Sequence, residues 1–319
     1  MFDMTFEQFN SLNFKLYDGN PVIKNPLNSF VIADPSVIEA EYSPDGKLHL
    51  FAHGFFGVYH YISDDGVNFR KFAKVAVNAM RPNINYIDGK YYLFYEKTRP
   101  VIFNFLSMFG GKWESDIYCI ESSDLINWTE EYPVINYTRD YEDFGKGHAI
   151  SNPFLTKFGD KYRLYYSCGQ TFIEDCGFGE PTHISFAESD NVSRGYISLE
   201  KPIISPDESS LHLNLCSGCL KVYRLSDCYI GLQNGIYKRD GKSHSGIVLL
   251  KSYDGINFEY IRDFLSPQMC GDNKWMAQYV YACCLSKQGN KLRLYFNARN
   301  TSSNVTGRES IGIYEADID

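Results

Sequence analysis

Positive charge is scarce in this sequence: 31 Lys and Arg stand against 39 Asp and Glu, a formal net charge of −8 over 319 residues. A surface that neutralises phosphates or anionic lipid needs the opposite balance, so neither nucleic acid nor a membrane is an expected partner. Long apolar runs are missing as well. No stretch approaches the roughly 18 residues of a membrane-spanning helix. The opening MFDMTFEQFN carries acidic residues and no apolar core of an export signal. A soluble, cytoplasmic location is the expectation. Amphipathic helical periodicity is absent, and tryptophan is rare, with 3 copies against 25 Tyr and 23 Phe. The 9 cysteines, an odd number, are scattered singly apart from Cys283-Cys284 and the Cys216-Ser-Gly-Cys219 pair, which does not make a disulfide framework. That C-x-x-C has no second pair to complete four tetrahedral ligands, so buried reduced thiols are expected and no metal.

What the sequence does have is a repeat. A short apolar strand, a Gly or Asp turn and a Tyr/Phe-rich strand recur at 30–54, 81–99, 151–170, 214–235 and 279–300. A third strand follows each pair, often ending in a turn of the S-x-D-G-x-N-F type, as in Ser63–Phe69 and Ser252–Phe258. Alternating residues such as Lys90-Tyr-Tyr-Leu-Phe-Tyr-Glu96 have the strand period, and D-G turns between such runs mark hairpins. Repeated antiparallel units of this size predict an all-β, five-bladed β-propeller, with residues 1–319 as a single domain. The strand-like segment at about 14–23 precedes the first repeat, and the last repeat stops after three strands. The segment is therefore predicted to close the last blade, hiding two sheet edges.

In such a blade the start of the first strand and the end of the second share one face. On that face lie Asp34, Arg81, Asn83, Asn152, Asn214, Ser217, Tyr279 and Tyr281 from first strands, and His53, Glu96, Lys97, Gln170, Gln233, Asn234 and Arg299 from second strands. Long loops at 97–115, 169–182, 235–244 and 299–308 crowd the same side, opposite the tight D-G turns, which is where a binding site belongs. Acid–base bond cleavage calls for two carboxyl groups on opposite sides of the bond that breaks. Asp34 is the first candidate, Glu96 the second and Glu180 the reserve. The first two have plainer alternatives: Asp34-Pro35 as a turn starter, and Glu96 as an ion-pair partner of Arg81 or Arg99. His53, Arg81, Asn83, Lys97, His148, Asn152, His183, Gln233, Tyr281 and Arg299 are the candidate substrate contacts. Arg81, Lys97, Arg299 and His148 together also suit a phosphate, because arginine offers a planar fork to its oxygens. No phosphate-cradling glycine motif accompanies them, and no cofactor is expected. His49 and His53 lie about 13 Å apart along a strand, too far to share a metal. Among loop aromatics, Phe55, Phe56, Trp113, Phe172 and Trp275 are candidates for stacking on a sugar. Ile102, Phe103, Phe105, Met108 and Phe109 form an apolar stretch suited to a lid or a partner contact, and the oligomeric state is not legible.

Ala33-Asp34-Pro35-Ser36-Val37, the Asp88-Gly-Lys-Tyr-Tyr-Leu-Phe-Tyr95 hairpin and the S-x-D-G-x-N-F turns together resemble the five-bladed propeller glycosidases, nearest to glycoside hydrolase families 43, 32 and 130. The resemblance implies a carbohydrate-active enzyme with its pocket at the propeller axis, and Asp34 as general base. Arg81-Pro82-Asn83 is similar to an Arg-Asp-Pro element, with asparagine in place of aspartate. Where family 43 places its glutamate acid, on the fourth inner strand, this chain has Cys216-Ser-Gly-Cys219. Where family 32 has an acidic residue, it has Asn152. Glycoside hydrolysis is the leading expectation. A phosphorylase or glycosyltransferase using the cationic rim, as family 130 implies, and a non-catalytic glycan-binding propeller are its rivals.

Overall fold

The computed structural model describes residues 2–25, 30–100, 111–303 and 306–318. The apolar stretch from Ile102 to Phe109 lies outside the described residues. Strands dominate, and each sequence repeat forms an antiparallel meander. Ile32–Ile38, Leu48–Gly54, Gly57–Ser63 and Arg70–Val77 make one four-stranded sheet. Leu220–Arg224, Tyr229–Arg239, Lys242–Ser252 and Glu259–Leu265 make another. The meanders through 79–135 and 147–198 join into one eight-stranded sheet, because Gly147–Ala149 pairs in parallel with Trp113–Ser115. The last sheet, Tyr279–Gln288, Lys291–Arg299 and Glu309–Asp317, takes its outer strand from the other end of the chain: Lys15 lies opposite Glu315 and Leu16 opposite Tyr314. The closing strand is thus much shorter than the segment predicted for it, although Ile23 makes a further bridge to Ile311.

A helix at Phe6–Ser11 is the element that periodicity missed, being under two turns long. It is capped by a reciprocal pair, Thr5 bonding the Gln8 amide and Gln8 bonding the Thr5 amide, and Phe9 is driven into a core with Phe14 and Phe264. Among the described residues no helix is long and apolar enough to cross a membrane.

The D-G turns have two jobs. In Ser63–Phe69 and Ser252–Phe258 the aspartate accepts two amides, Val67 and Asn68 on Asp65 and Ile256 and Asn257 on Asp254, all at 2.8–2.9 Å. Each following glycine has positive φ and sits under a tyrosine of a neighbouring sheet. The Tyr295 hydroxyl donates to the Gly66 carbonyl at 2.8 Å and that of Tyr165 to the Gly255 carbonyl at 2.7 Å, where a Cβ would collide. The motif therefore folds its own hairpin and docks the next sheet.

At the centre, side chains link strands that share no ladder. The Ile84 amide donates to Ser36 Oγ at 3.0 Å, and the Leu155 amide to Asn83 Oδ1 at 2.9 Å. Thr156 Oγ1 donates to the Val222 carbonyl at 2.8 Å, and the Leu285 amide to Tyr223 Oη at 2.8 Å. Glu39 accepts from Ser286 and the Lys287 amide, and the last inner strand packs back on the first. Asn83, predicted to face a sugar, is one of these buried links. Asn83→Ala leaves the Leu155 amide unpaired, and a loss of about 2 kcal/mol is expected in urea unfolding. Unchanged stability would remove Asn83 from the ring.

Candidate active site

The first strands share a local distortion. Pairing slips between Ala33 and Ser36, Met80 and Asn83, Ser151 and Phe154, and Val280 and Cys283, so that two residues bulge out of each ladder. In three of these the bulge is a residue with positive φ followed by proline: Asp34 at 53°, Arg81 at 51° and Asn152 at 52°. Non-glycine residues adopt this conformation only at a cost of roughly 1–3 kcal/mol, and such outliers concentrate at functional sites. Proline completes the bulge without leaving a stranded N–H. Gly218 holds the corresponding place on the fourth inner strand, with φ 58° and no room for a Cβ against the Asn234 carbonyl. Asp34, Arg81, Asn152, Gly218 and Tyr281 all line one axial cavity of about 220 Å³.

Charge in the cavity is mostly spoken for. Arg81 Nη1 is locked to Glu96 Oε2, and Trp113 Nε1 donates to Glu96 Oε1 at 3.2 Å. Glu96 is fully buried, and both its oxygens are occupied. Arg299 is only 2% exposed and spends Nη1 on Glu309 at 3.0 Å, Nε on the Thr301 carbonyl at 3.0 Å and Nη2 on the Ser303 carbonyl at 2.8 Å.

Two carboxyl groups remain with different characters. Burial pushes the Asp34 carboxyl up, but the hydrogen bond and charge of His53, with Arg81 and Lys221 behind, outweigh it and hold the group below its ordinary range. His53 Nδ1 lies 3.2 Å from Asp34 Oδ2 and 3.3 Å from the Arg81 amide. Carrying a proton it donates to Asp34; without one it accepts from Arg81. The Glu180 carboxyl makes no hydrogen bond or ion pair to any described residue, and desolvation, with Glu309 and Asp34 nearby, pushes it up to about 7 against the pull of Arg81 and Arg299.

Glu180 arrives on an insertion. Thr171–Ile173 and Phe178–Glu180 form a two-stranded ribbon. Ile173 and Cys176 pack it against Cys216, Ile236 and Tyr279, and Asp175 accepts from the Ser243 amide and hydroxyl at 2.7 and 2.9 Å. The amides of Ser217 and Gly218 both donate to the Pro181 carbonyl, at 3.1 and 3.2 Å. The fourth inner strand, which lacks a glutamate of its own, thus clamps the residue that follows Glu180. Cys216 and Cys219 are buried free thiols.

Of the predicted site residues, Asp34, His53, Arg81, Glu96, Asn152, Glu180, Tyr281 and Arg299 line the cavity. Five others do not. Asn83 is in the inner ring, and Lys97 pairs with Glu131 at 2.7 Å. His148 stacks on Tyr137 and faces Asp116 at 3.5 Å, while His183 bonds Ser205. Gln233 donates to the Ser217 carbonyl at 3.0 Å. The predicted cationic cluster therefore does not assemble. Among the aromatics Phe55 and Trp113 reach the cavity, whereas Trp275 packs on Phe296 and Gly312. Glu309 and Asn297 were missed. Glu309 begins a third strand, a position the two-strand reading passed over, and its signal was its register opposite Arg299. No group of three His, Cys, Asp or Glu suited to a metal occurs among the described residues.

Glu96→Gln removes the charge that balances Arg81. A loss of about 3 kcal/mol is expected in chemical denaturation, as for breaking a buried pair. An equally stable variant would return Glu96 to the catalytic candidates.

No family model matches the chain, and no curated protein matches it. Solved structures do. A protein described as a glycoside hydrolase superposes with a TM-score of 0.70 at 11% identity, over 99% of this chain and 97% of its own. A glycosyl hydrolase from Bacteroides ovatus gives 0.65 at 14% identity, over 96% and 94%. A structure from work on the family 130 mannoside phosphorylases, described as containing glycoside hydrolases that target β-1,2 mannosidic linkages in Candida mannan, gives 0.62 at 14% identity, over 95% and 93%. What this chain shares with them, end to end, is the fold of the β-propeller glycoside hydrolases.

Proposed function

We propose that this chain is a glycoside hydrolase-like enzyme that binds a carbohydrate in the axial cavity and cleaves a glycosidic bond there, with Asp34 as base and Glu180 as acid. The observation that carries the reading is the division of labour between two carboxyl groups lining one cavity. Asp34 is held ionised by His53, and Glu180 is kept protonated toward neutral pH by its unpartnered, desolvated setting. Pairs pushed apart in this way are what acid–base cleavage requires. Asp34 takes a proton from the attacking water, and Glu180 gives one to the departing glycosidic oxygen.

The remaining cavity residues then have definite parts. Arg81, fixed by Glu96, presents its outer nitrogens to sugar hydroxyls. Asn152 and the Tyr281 hydroxyl, which has no hydrogen-bond partner among the described residues, do the same, and Trp113 offers a ring face. Residues 1–319 are read as one domain of five blades, the last completed by Lys15–Leu16. Hydrolysis is favoured over phosphorolysis because Arg299 and Lys97 are already engaged and His148 lies outside the cavity lining. Non-catalytic binding leaves the Glu180 setting without a purpose.

The test is turnover of a panel of neutral aryl glycosides, read as kcat/KM against pH. Activity should fall as pH rises through about 7, where Glu180 loses its proton, and on the acid side only below the ordinary carboxylate range, where Asp34 gains one. Asp34→Asn should abolish turnover without unfolding the chain. Glu180→Gln should cost about 10²–10⁴-fold on a poor leaving group and far less on dinitrophenolate, which departs without an acid. Wild-type rates in both variants would sink the assignment, and a strict dependence on added phosphate would move it to phosphorolysis.

A further inference from the structure

The bulge that carries Asp34 leaves one backbone donor outside the ladder. Pairing between Ile32–Ile38 and Leu48–Gly54 is made at Ala33 with His53 and resumes at Ser36 with Phe51, so Asp34 and Pro35 fall between paired residues. Proline has no N–H to place. The stranded donor is therefore the amide of Asp34, a residue already held at φ 53°, and a buried amide without an acceptor is costly. Its acceptor comes from the other end of the chain: Asn297 Oδ1, at 3.2 Å, on the second strand of the last meander. One meander on, the arrangement recurs, with His53 Nδ1, on the second strand of the first meander, 3.3 Å from the Arg81 amide.

Asn297 is 1% exposed and engaged at both ends of its amide group, since Nδ2 donates to Glu309 Oε2 at 3.1 Å. A backbone N–H only donates and a carboxylate only accepts, so these two partners also settle which way round the amide lies. Glu309 Oε1 accepts from Arg299 Nη1 at 3.0 Å, and Arg299 is tied in turn to the carbonyls of Thr301 and Ser303. An unbroken line of hydrogen bonds thus runs from the loop after Arg299 to the backbone of Asp34. The Glu309 amide closes the same joint from the main chain, donating to the Phe30 carbonyl at 2.9 Å just ahead of the first inner strand.

We propose that Asn297 is the positioning residue of Asp34, fixing the strained bulge so that the carboxylate meets His53 at the cavity. The proposal rests on the reading of Asp34 as base. Asn297 acts on the peptide rather than on the carboxyl group. With its acceptor gone, Asp34 relaxes from φ 53° toward the ordinary negative range and carries its carboxylate away from His53 Nδ1. The Arg299–Glu309 pair gains a second use in this arrangement: the guanidinium orients the carboxylate, and the carboxylate orients Asn297.

Asn297→Ala removes the acceptor and the donor together. In the folded chain without substrate, the Asp34 amide, followed by hydrogen exchange in nitrogen-15 NMR, should lose protection by about tenfold, while the amides of Ile84 and Leu155, held by Ser36 and Asn83, keep theirs. On the neutral aryl glycosides kcat should fall about tenfold with KM unchanged, because the base is displaced and the sugar contacts remain. Exchanging the two groups, Asn297→Asp with Glu309→Gln, preserves the whole line: the carboxylate accepts from the Asp34 amide and from the glutamine, whose carbonyl still accepts from Arg299. This exchange should recover both the protection and kcat, which a residue that only fills space would not do. If the alanine variant does not fold, Asn297→Leu carries the same measurements with the shape kept. Unchanged protection at Asp34 in the folded variant, an undiminished kcat, or an exchange that recovers neither overturns the proposal. Lost and recovered protection in a chain that turns over no glycoside upholds Asn297 as the holder of the bulge and refutes only the reaction.

Discussion

Everything at the axis depends on the inner strands of successive meanders being tied to one another without a ladder of their own. Apart from the parallel pairing of Gly147–Ala149 with Trp113–Ser115, strand pairing among the described residues runs within each meander, so side chains rather than ladders join one inner strand to the next. Ser36, Asn83, Thr156, Tyr223 and Glu39 supply the missing bonds, each reaching from one inner strand to a partner on the next. Because these links fix the strands at neighbouring heights, the bulges converge. Asp34, Arg81, Asn152, Gly218 and Tyr281 come from positions scattered along the chain, yet border a single cavity.

Convergence brings charges together, and the second requirement is that they not cancel indiscriminately. Each arginine at the cavity is given its own carboxylate, Glu96 for Arg81 and Glu309 for Arg299. A buried pair of this kind contributes little to stability, but it prevents either cation from claiming Asp34 or Glu180. The two carboxyls are then free to be set by different neighbours, one by histidine and fixed positive charge, the other by exclusion of water.

The fold was largely legible because its signals are local. Alternating Tyr/Phe strands and D-G turns announce hairpins, and the Asp65 and Asp254 turns are read from four or five consecutive residues. The short helix at Phe6–Ser11 was not, since six residues cannot display a helical period. At the site, strand starts and ends were enough to find Asp34, Arg81, Asn152, Tyr281 and Arg299. They were not enough to say which polar groups face inward. Gln233 and Asn234 are adjacent on one strand, and only Asn234 reaches the cavity, a difference of one residue in a two-residue period. His148 and Lys97 were drawn in by the attraction of like-looking cations, whereas Asp116 and Glu131 hold them elsewhere. The proline after Asp34, Arg81 and Asn152 was the overlooked clue: three X-Pro pairs at equivalent places mark the bulges directly.

The two cavity carboxyls, Asp34 and Glu180, differ in how they are mounted. Asp34 belongs to an inner strand and cannot move without the ring. Glu180 rides a ribbon fastened at Asp175, at Pro181 and through the packing of Ile173 and Cys176, all of them outside the inner-strand links. The frame and the ribbon are therefore separable parts: a change in the length of the ribbon would move the Glu180 carboxyl within the cavity and leave Asp34 and the strands that hold it in place.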